Sequence, residues 1–261
     1  MSFKTFSLVL QYPVEDDMRI VITGGPGSEP IDEVRYITNH STGELSVEIA
    51  RRFADAGHCI ELFLGRSAIW RLESARYFLT TDELGRMLRD LPDRNRVDAV
   101  FHAAALSDFG VAEINVSGVR TKAAKISSDA ESVQLLLLPR PKLIRQLREL
   151  FPAAYIVGWK FELDGSPADV VREGVRQIAS NRTDGCVVNG TAFGPGFGFC
   201  TAKGLIQTLP TKAALAEWLL EYVSGEKSGS NRMHVGGSPS SPASNEKLLH
   251  PPSHELFSKT P

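Results

Sequence analysis

Residues Arg19–Gly27 read RIVITGGPG, a short apolar run whose far end is closed by Gly24, Gly25 and Gly27. An apolar run of strand length bounded by glycines is the pattern of a strand buried on both faces that ends in a tight turn. Beyond the turn, Leu45, Ile49, Phe53 and Ala56 recur at spacings of four, four and three. A helix is therefore predicted from about Thr42 to Ala56, with Gly57 closing it. Cys59–Leu64 (CIELFL) reads as a second buried strand and Tyr77–Leu79 as a short third. Two strands joined by a crossover helix pair in parallel.

The alternation continues along the chain. Thr80 with Glu83 makes a capping box for the helix DELGRMLRDL, which Pro92 stops. Val97–Ala105 is predicted as a buried strand, Leu135–Leu138 as a strand or arm, Pro141 as the opening of a helix through Phe151, and Ala154–Phe161 as a strand. Pro167 begins a helix through Ser180, Gly185–Asn189 and Gly204–Leu209 are strands, and Thr211 caps a last helix to Val223. The expected fold is a Rossmann-like three-layer α/β sandwich, with helices on both faces of a mostly parallel sheet. Its ligand is expected outside the carboxyl ends of the strands, in the segments after Thr23, Ala105, Phe161 and Asn189.

Residues 18–223 carry this pattern and are expected to form the domain, with 1–17 as an N-terminal extension. From Ser224 to Pro261 the composition turns to Ser, Gly, Pro and Asn, which reads as a disordered tail. The whole chain has 261 residues, 42% of them hydrophobic, enough to bury one sizeable core. Lys plus Arg is 29 and Asp plus Glu is 31, a formal charge of −2 with no basic concentration, which disfavours a nucleic-acid partner. No apolar run approaches the roughly 20 residues that span a bilayer, and the start lacks a signal-peptide pattern, so no membrane partner is expected and the location is read as cytoplasmic. Cys59, Cys186 and Cys200 lack metal-like spacing and fit reduced thiols; Cys200, in FGFCTAKG, reads as a loop residue. No protein-held metal site is predicted.

Chemistry concentrates in Gly24–Glu44, GGPGSEPIDEVRYITNHSTGE, where a glycine turn, Arg35 and an Asn-His-Ser-Thr-Gly helix entry share one strand-to-helix connection. The turn glycines permit close backbone approach, Arg35 offers a bidentate anion contact, and the amides at Ser41–Gly43 lie at the positive end of a helix dipole. This is either a phosphate or carboxylate cradle or a long surface loop. It does not match the dinucleotide fingerprint G-x-G-x-x-G.

EPIDEVRYITNHSTG, with HAAALSDF (His102–Phe109), Lys125-Ile126, Pro141, VGWKFE (Val157–Glu162) and TDGCVVN (Thr183–Asn189), resembles phosphopantothenoylcysteine synthetase over Met18–Val223. That enzyme is commonly the C-terminal half of a bifunctional flavoprotein of coenzyme A biosynthesis; here no flavin-binding half precedes it, so a standalone member is expected. The resemblance implies a ligase that uses CTP or ATP as cosubstrate, with Mg²⁺, to convert 4′-phosphopantothenate into an acyl nucleotide before attack by the amine of cysteine. It further implies that Asn39 orients the intermediate beside Arg35 and Asn189 in the substrate pocket. Gly24, Gly25, Ser41, Thr42, His102, Ala103, Ala104 and Asp108 would then approach the nucleotide. Lys125 would act in catalysis at the triphosphate, and Pro141, Lys142, Leu143, Ile144 and Trp159 would line the base pocket. A homodimer in which Phe109–Leu138 crosses to the neighbour, and a separate flavin-dependent decarboxylase, are implied partners. Read as residues alone, His102–Ala104 also suits a packed strand end, Asp108 an Asx turn, Lys125 a solvated lysine and Trp159 a core position.

Several positions depart from the family pattern. Glu44 and Ser46 replace a lysine and a glycine, and Ser41 with Glu44 spells a capping box that would place a carboxylate over the helix amides. The lysine cluster after the arm shrinks to Lys125-Ile126-Ser127-Ser128, and Gln177 and Asn181 stand where lysines are expected. RPKL adds Arg140 and Lys142, and Gly190 replaces an aspartate after Asn189. Two further readings are carried: a noncatalytic homologue that binds nucleotide or pantothenoyl ligand, and a generic nucleotide-dependent reductase.

Overall fold

The structure, a computed structural model, describes residues 17–227. Of the extension expected over 1–17, residues 1–16 lie outside the described residues, as do residues 228–261 of the tail expected over 224–261. The chain opens with β1 (Arg19–Gly24), β2 (Ser28–Pro30), β3 (Tyr36–Thr38), α1 (Glu44–Asp55), β4 (Cys59–Gly65), β5 (Arg76–Phe78), α2 (Thr81–Arg89) and β6 (Ala99–His102). An antiparallel group follows, β7 (Phe109–Val116), β8 (Val119–Thr121) and β9 (Val133–Pro139). A 3-10 turn at Leu143–Gln146 then runs into α3 (Leu147–Leu150), β10 (Tyr155–Phe161), α4 (Pro167–Asn181), β11 (Gly185–Asn189), β12 (Phe197–Thr201), β13 (Gly204–Leu209) and α5 (Lys212–Lys227).

Eight strands form the main sheet in the order β13-β12-β11-β10-β6-β1-β4-β5. From β11 to β5 the neighbours pair in parallel, while β12 and β13 join antiparallel at one edge. The two-residue alternation of a strand then divides the core. Ile20, Ile22, Leu62, Phe101 and Val187 pack against Val47, Ile49 and Phe53 of α1 and Leu215, Leu219 and Val223 of α5. Val21, Phe63, Val100 and Ile156 face the other way, against Leu84 and Leu88 of α2 and Leu143, Leu147 and Phe151. Farther along this sheet, Val170 and Ile178 of α4 cover Cys186, Val188 and Cys200. The three layers are those expected from the apolar runs.

Local signals act largely as read. Thr80 Oγ1 accepts the Glu83 amide at 3.1 Å as a capping box requires, but the Glu83 carboxylate accepts the amide of Leu79, one residue before the N-cap, at 2.6 Å. Thr211 Oγ1 accepts the Ala214 amide at 3.1 Å, and the helix it caps continues past Val223 to Lys227, so Ser224–Lys227 are helical rather than the opening of a tail. Three readings are corrected. The Ser41–Glu44 capping box does not form: the N-cap of α1 is Gly43, in left-handed geometry (φ 77°) without a side-chain cap, and Glu44 pairs instead with Lys212 of α5. Pro141 opens no continuous helix, because the chain takes a 3-10 turn before the single α turn of α3. Cys200 is not in a loop; it is buried on β12 directly opposite Cys186 of β11, where burial pushes its thiol up to about 11.

The glycine turn after β1 is buried throughout. A Cβ at Gly24 would lie 1.9 Å from Ser46 Oγ, so this glycine is what lets α1 approach β1 closely. The turn extends the β1–β6 pairing: Ala103 donates to the Thr23 carbonyl, Ala105 to that of Gly25, and Gly27 to that of Ala105, each within 2.9–3.1 Å.

Candidate active site

The carboxyl ends of β6 and β10 open beneath α2, α4 and the Pro141 segment as a cleft of about 650 Å³. Four stretches distant in sequence meet there: Thr38–His40, His102 with Ala104–Asp108, Arg140–Ile144 and Trp159–Phe161, with Thr81 and Gln177 completing the wall. Of the predicted residues, Asn39, His102, Ala104, Asp108, Pro141, Lys142, Leu143, Ile144 and Trp159 are brought together.

Each is held by an identifiable contact. Asn39 Nδ2 donates to the Leu106 carbonyl at 2.8 Å, and Thr38 Oγ1 to that of Gly27 at 2.8 Å, so the end of β3 is tied to the segments after β1 and β6. Leu143 and Ile144 are buried in the α2-side core and form an apolar wall. Asp108 pairs with Lys142 at 3.3 Å, both side chains more than half exposed. Arg140 reaches Asp82 at 3.2 Å and the buried Glu29 at 3.4 Å, and Lys160 meets Glu162 at 2.7 Å. Thus Arg140, Lys142 and Lys160 all line the cleft, and each has a carboxylate partner. Trp159 contributes differently from expectation: its indole packs with the core on the α1 and α5 side, while its carbonyl accepts from Gln177 Nε2 at 3.0 Å. His102 is buried at the sheet end, with Nδ1 2.7 Å from Thr23 Oγ1, and burial pushes its imidazole down to about 4.

The remaining predicted residues lie outside the cleft lining. Gly24 and Gly25 are packed beneath it, their turn occupied by backbone pairing and helix packing rather than open as an anion cradle. Ala103 donates to Thr23, Thr42 presents its carbonyl to the amides of Ile69 and Trp70 at 3.0 Å, and Ser41 precedes it, half-buried. Asn189 ends β11, where its carbonyl accepts the Glu162 amide at 2.9 Å. Arg35 is engaged locally, donating to Asp32 at 2.8 Å and to the Ile126 carbonyl at 3.2 Å. Asp32 also accepts the amides of Ile126, Val34 and Arg35, which together with the Arg35 guanidinium hold its carboxyl below the usual carboxylate range. Lys125, exposed, sits between Ala124 and Ile126, the residues this clasp grips.

Thr23, Thr81 and the paired role of Gln177 were not singled out from sequence. The Thr23–His102 contact spans 79 positions and leaves no local signature. Among the described residues, no three His, Cys, Asp or Glu side chains converge as a metal site.

The family model for the DNA/pantothenate metabolism flavoprotein C-terminal domain matches residues 16–223. A bifunctional coenzyme A biosynthesis protein, CoaBC, of Thermococcus kodakarensis is 32% identical over 172 residues, 66% of this chain and 41% of that protein. The chain thus spans about two fifths of the length of this curated relative. The crystal structure of a DNA/pantothenate metabolism flavoprotein from Streptococcus pneumoniae superposes with a TM-score of 0.70 at 27% identity, covering 80% of this chain and 99% of that one. A mutant Cab2 in complex with phosphopantothenate-cysteine shares the fold, with a TM-score of 0.62 at 18% identity over 84% of this chain and 89% of that one.

Proposed function

The chain belongs to the family of the DNA/pantothenate metabolism flavoprotein C-terminal domain, and from that premise we propose that it is a nucleotide-dependent ligase that joins 4′-phosphopantothenate to cysteine in coenzyme A biosynthesis. The observation that carries this reading is the cleft itself, where Asn39, His102, Asp108 and Pro141–Ile144 meet from separate motifs of the matched region.

A carboxylate is a poor acyl donor until its oxygen is esterified to phosphate, and that step needs positive charge near the departing pyrophosphate. Arg140, Lys142 and Lys160 line the cleft and are the cations available for it. Asn39, with its amide nitrogen anchored on Leu106, has its carbonyl oxygen left to orient the pantothenoyl group or the incoming amine. Leu143 and Ile144 give an apolar wall for the base. CTP or ATP is the proposed cosubstrate. Asp108, paired with Lys142, is the one carboxylate among the residues lining the cleft, so the lining offers no protein cage and a Mg²⁺ would have to arrive on the nucleotide phosphates, with Asp108 the carboxylate that would be near it. Such an ion supplies charge neutralisation at the phosphates.

A homodimer is proposed from the β7-β8-β9 sheet, which exposes Phe109, Val119, Val133, Leu136, Leu137 and Leu138; exposed apolar surface of this kind marks an interaction site. A flavin-dependent decarboxylase is proposed as the partner that acts next, releasing the cysteinyl carboxylate of the product as CO₂, and a cytoplasmic location is proposed with it. Among the described residues, no helix is long and apolar enough to cross a membrane.

One observation favours a second reading, a ligand-binding homologue without turnover: every cation lining the cleft already has a carboxylate partner. The buried glycine turn gives no support to a dinucleotide-dependent reductase.

Pyrophosphate release by the full chain, with Mg²⁺, phosphopantothenate and CTP or ATP, with and without cysteine, decides the matter. Release that requires phosphopantothenate and is damaged by Asn39→Asp supports the ligase and names the nucleotide. Binding without release from either nucleotide supports the second reading.

A further inference from the structure

Thr23 and His102 stand side by side in the register of β1 and β6, and His102 stands beside Gly158 of β10, so the three share one face at the carboxyl end of the sheet. Gly158 carries no side chain on that face, and Gln177 and Ile144 close over it: a Cβ there would lie 2.6 Å from Gln177 Oε1 and 2.9 Å from Ile144 Cδ1. His102 is thus flanked in the sheet by Thr23, whose hydroxyl it meets, and by Gly158, which Gln177 and Ile144 cover.

Thr23 is 0% exposed, and among the described residues its hydroxyl has one hydrogen-bond partner, Nδ1 of His102 at 2.7 Å. A buried hydroxyl proton left without an acceptor keeps its full desolvation penalty, so the hydroxyl donates and Nδ1 accepts. An imidazole that accepts at Nδ1 and is neutral carries its one proton on Nε2. Burial keeps the ring neutral at pH 7. His102 is among the residues lining the cleft, and its Nδ1 is already engaged.

We propose that Thr23 is a positioning residue that fixes His102 as the Nε2–H tautomer, making it a neutral hydrogen-bond donor to an oxygen of the nucleotide bound in the cleft. A neutral donor suits this place. An imidazolium would bind any anion through its charge, whereas a tautomer-locked imidazole recognises an acceptor by position, without a proton to lose. The identity of the ligand rests on the ligase reading; the tautomer does not.

The test is ¹⁵N NMR of the full chain labelled at histidine, read with and without CTP, ATP and phosphopantothenate added singly, beside calorimetry of the same mixtures. The expected spectrum shows His102 with a protonated Nε2 and a pyridine-like Nδ1 at pH 7. Its Nε2 signal should move on addition of CTP or ATP and stay in place with phosphopantothenate alone. Thr23→Val, nearly isosteric, should abolish the single tautomer and weaken nucleotide binding by up to about tenfold, the size of one hydrogen bond, while Thr23→Ser restores both. If Thr23→Val fails to fold, the wild-type spectrum and Thr23→Ser still decide. A protonated Nδ1, an imidazolium at pH 7, or an unmoved Nε2 while calorimetry records nucleotide binding would each overturn the proposal. If calorimetry and pyrophosphate release both detect nothing, the ligand half of the proposal falls with the ligase reading, and the tautomer is still decided by the ligand-free spectrum.

Discussion

Glu44, at the first position of α1, pairs with Lys212 at the first position of α5, 168 residues away in the chain. The contact draws the carboxylate off the axis of its own helix and onto a neighbouring element, leaving Gly43 to cap α1 without a side chain.

Replacing Glu44 by lysine, the residue the family pattern favours there, places two ammonium groups together. The side chains are 34% and 42% exposed, so solvent screens the effect and the loss of stability should stay below about 1 kcal/mol. The double variant Glu44→Lys/Lys212→Glu should recover most of it. Denaturant unfolding of the two variants checks this, and a single variant as stable as the double would contradict it.

Gly24 and Ser46 make a second coupled pair. Gly24→Ala sets a methyl group within 1.9 Å of Ser46 Oγ and should cost about 1–3 kcal/mol by overpacking. Adding Ser46→Gly removes the obstructing atoms and should return part of that loss, offset by the helix cost of glycine, about 1 kcal/mol. Additive effects in a thermal or denaturant cycle would show that the two residues do not meet.

His102 should make stability depend on pH between about 6.5 and about 4. Its folded value is lowered from 6.5 to about 4, so in this window the unfolded chain binds the proton and the folded one does not. Stability is fully present above pH 6.5 and falls as the pH drops towards 4, by up to about 3 kcal/mol. His102→Gln should flatten that part of the pH–stability curve, and an unchanged slope would contradict the buried neutral ring.

Asp32 should act at lower pH. Its carboxyl is held down by the Ile126 amide first, then by those of Val34 and Arg35 and by the Arg35 guanidinium. Its contribution is present above the unfolded carboxyl value, near 3.8, and is lost as the pH falls below it. Asp32→Asn should blunt acid unfolding in this range and raise hydrogen exchange at the Ile126 amide at neutral pH. The amide arm distinguishes loss of the clasp from a general change in stability.

The sheet was legible wherever strands are buried on both faces, because RIVIT, CIELFL and AYIVGWKF leave continuous apolar runs. It was illegible where strands are short, exposed or glycine-broken. β2 and β3 have three residues each, β7 alternates weakly above solvent, and β12 (FGFCT) lies among glycines that suggest a loop. The Ser41–Glu44 pattern failed for another reason: a cap is a local preference, and the distant ammonium of Lys212 outweighs it. The cleft residues could be named because the family resemblance marks them, yet their partners could not. Asn39 to Leu106 spans 67 positions and Arg140 to Glu29 spans 111, distances over which only the fold decides who meets whom.

The clasp on Asp32 also joins two long segments that would otherwise order separately. Glu33 donates to the Ala124 carbonyl, Arg35 to that of Ile126, and Ile126 to Asp32, so the connection after β2 and the strip between β8 and β9 lose their freedom together. Asn39 lies four residues beyond Arg35, already tethered to Leu106. Asn39 and the strip carrying Lys125 are thus attached to one clasped connection. If a molecule in the cleft orders that strip, reciprocity requires that a contact ordering the strip tighten the grip on the molecule by the same factor.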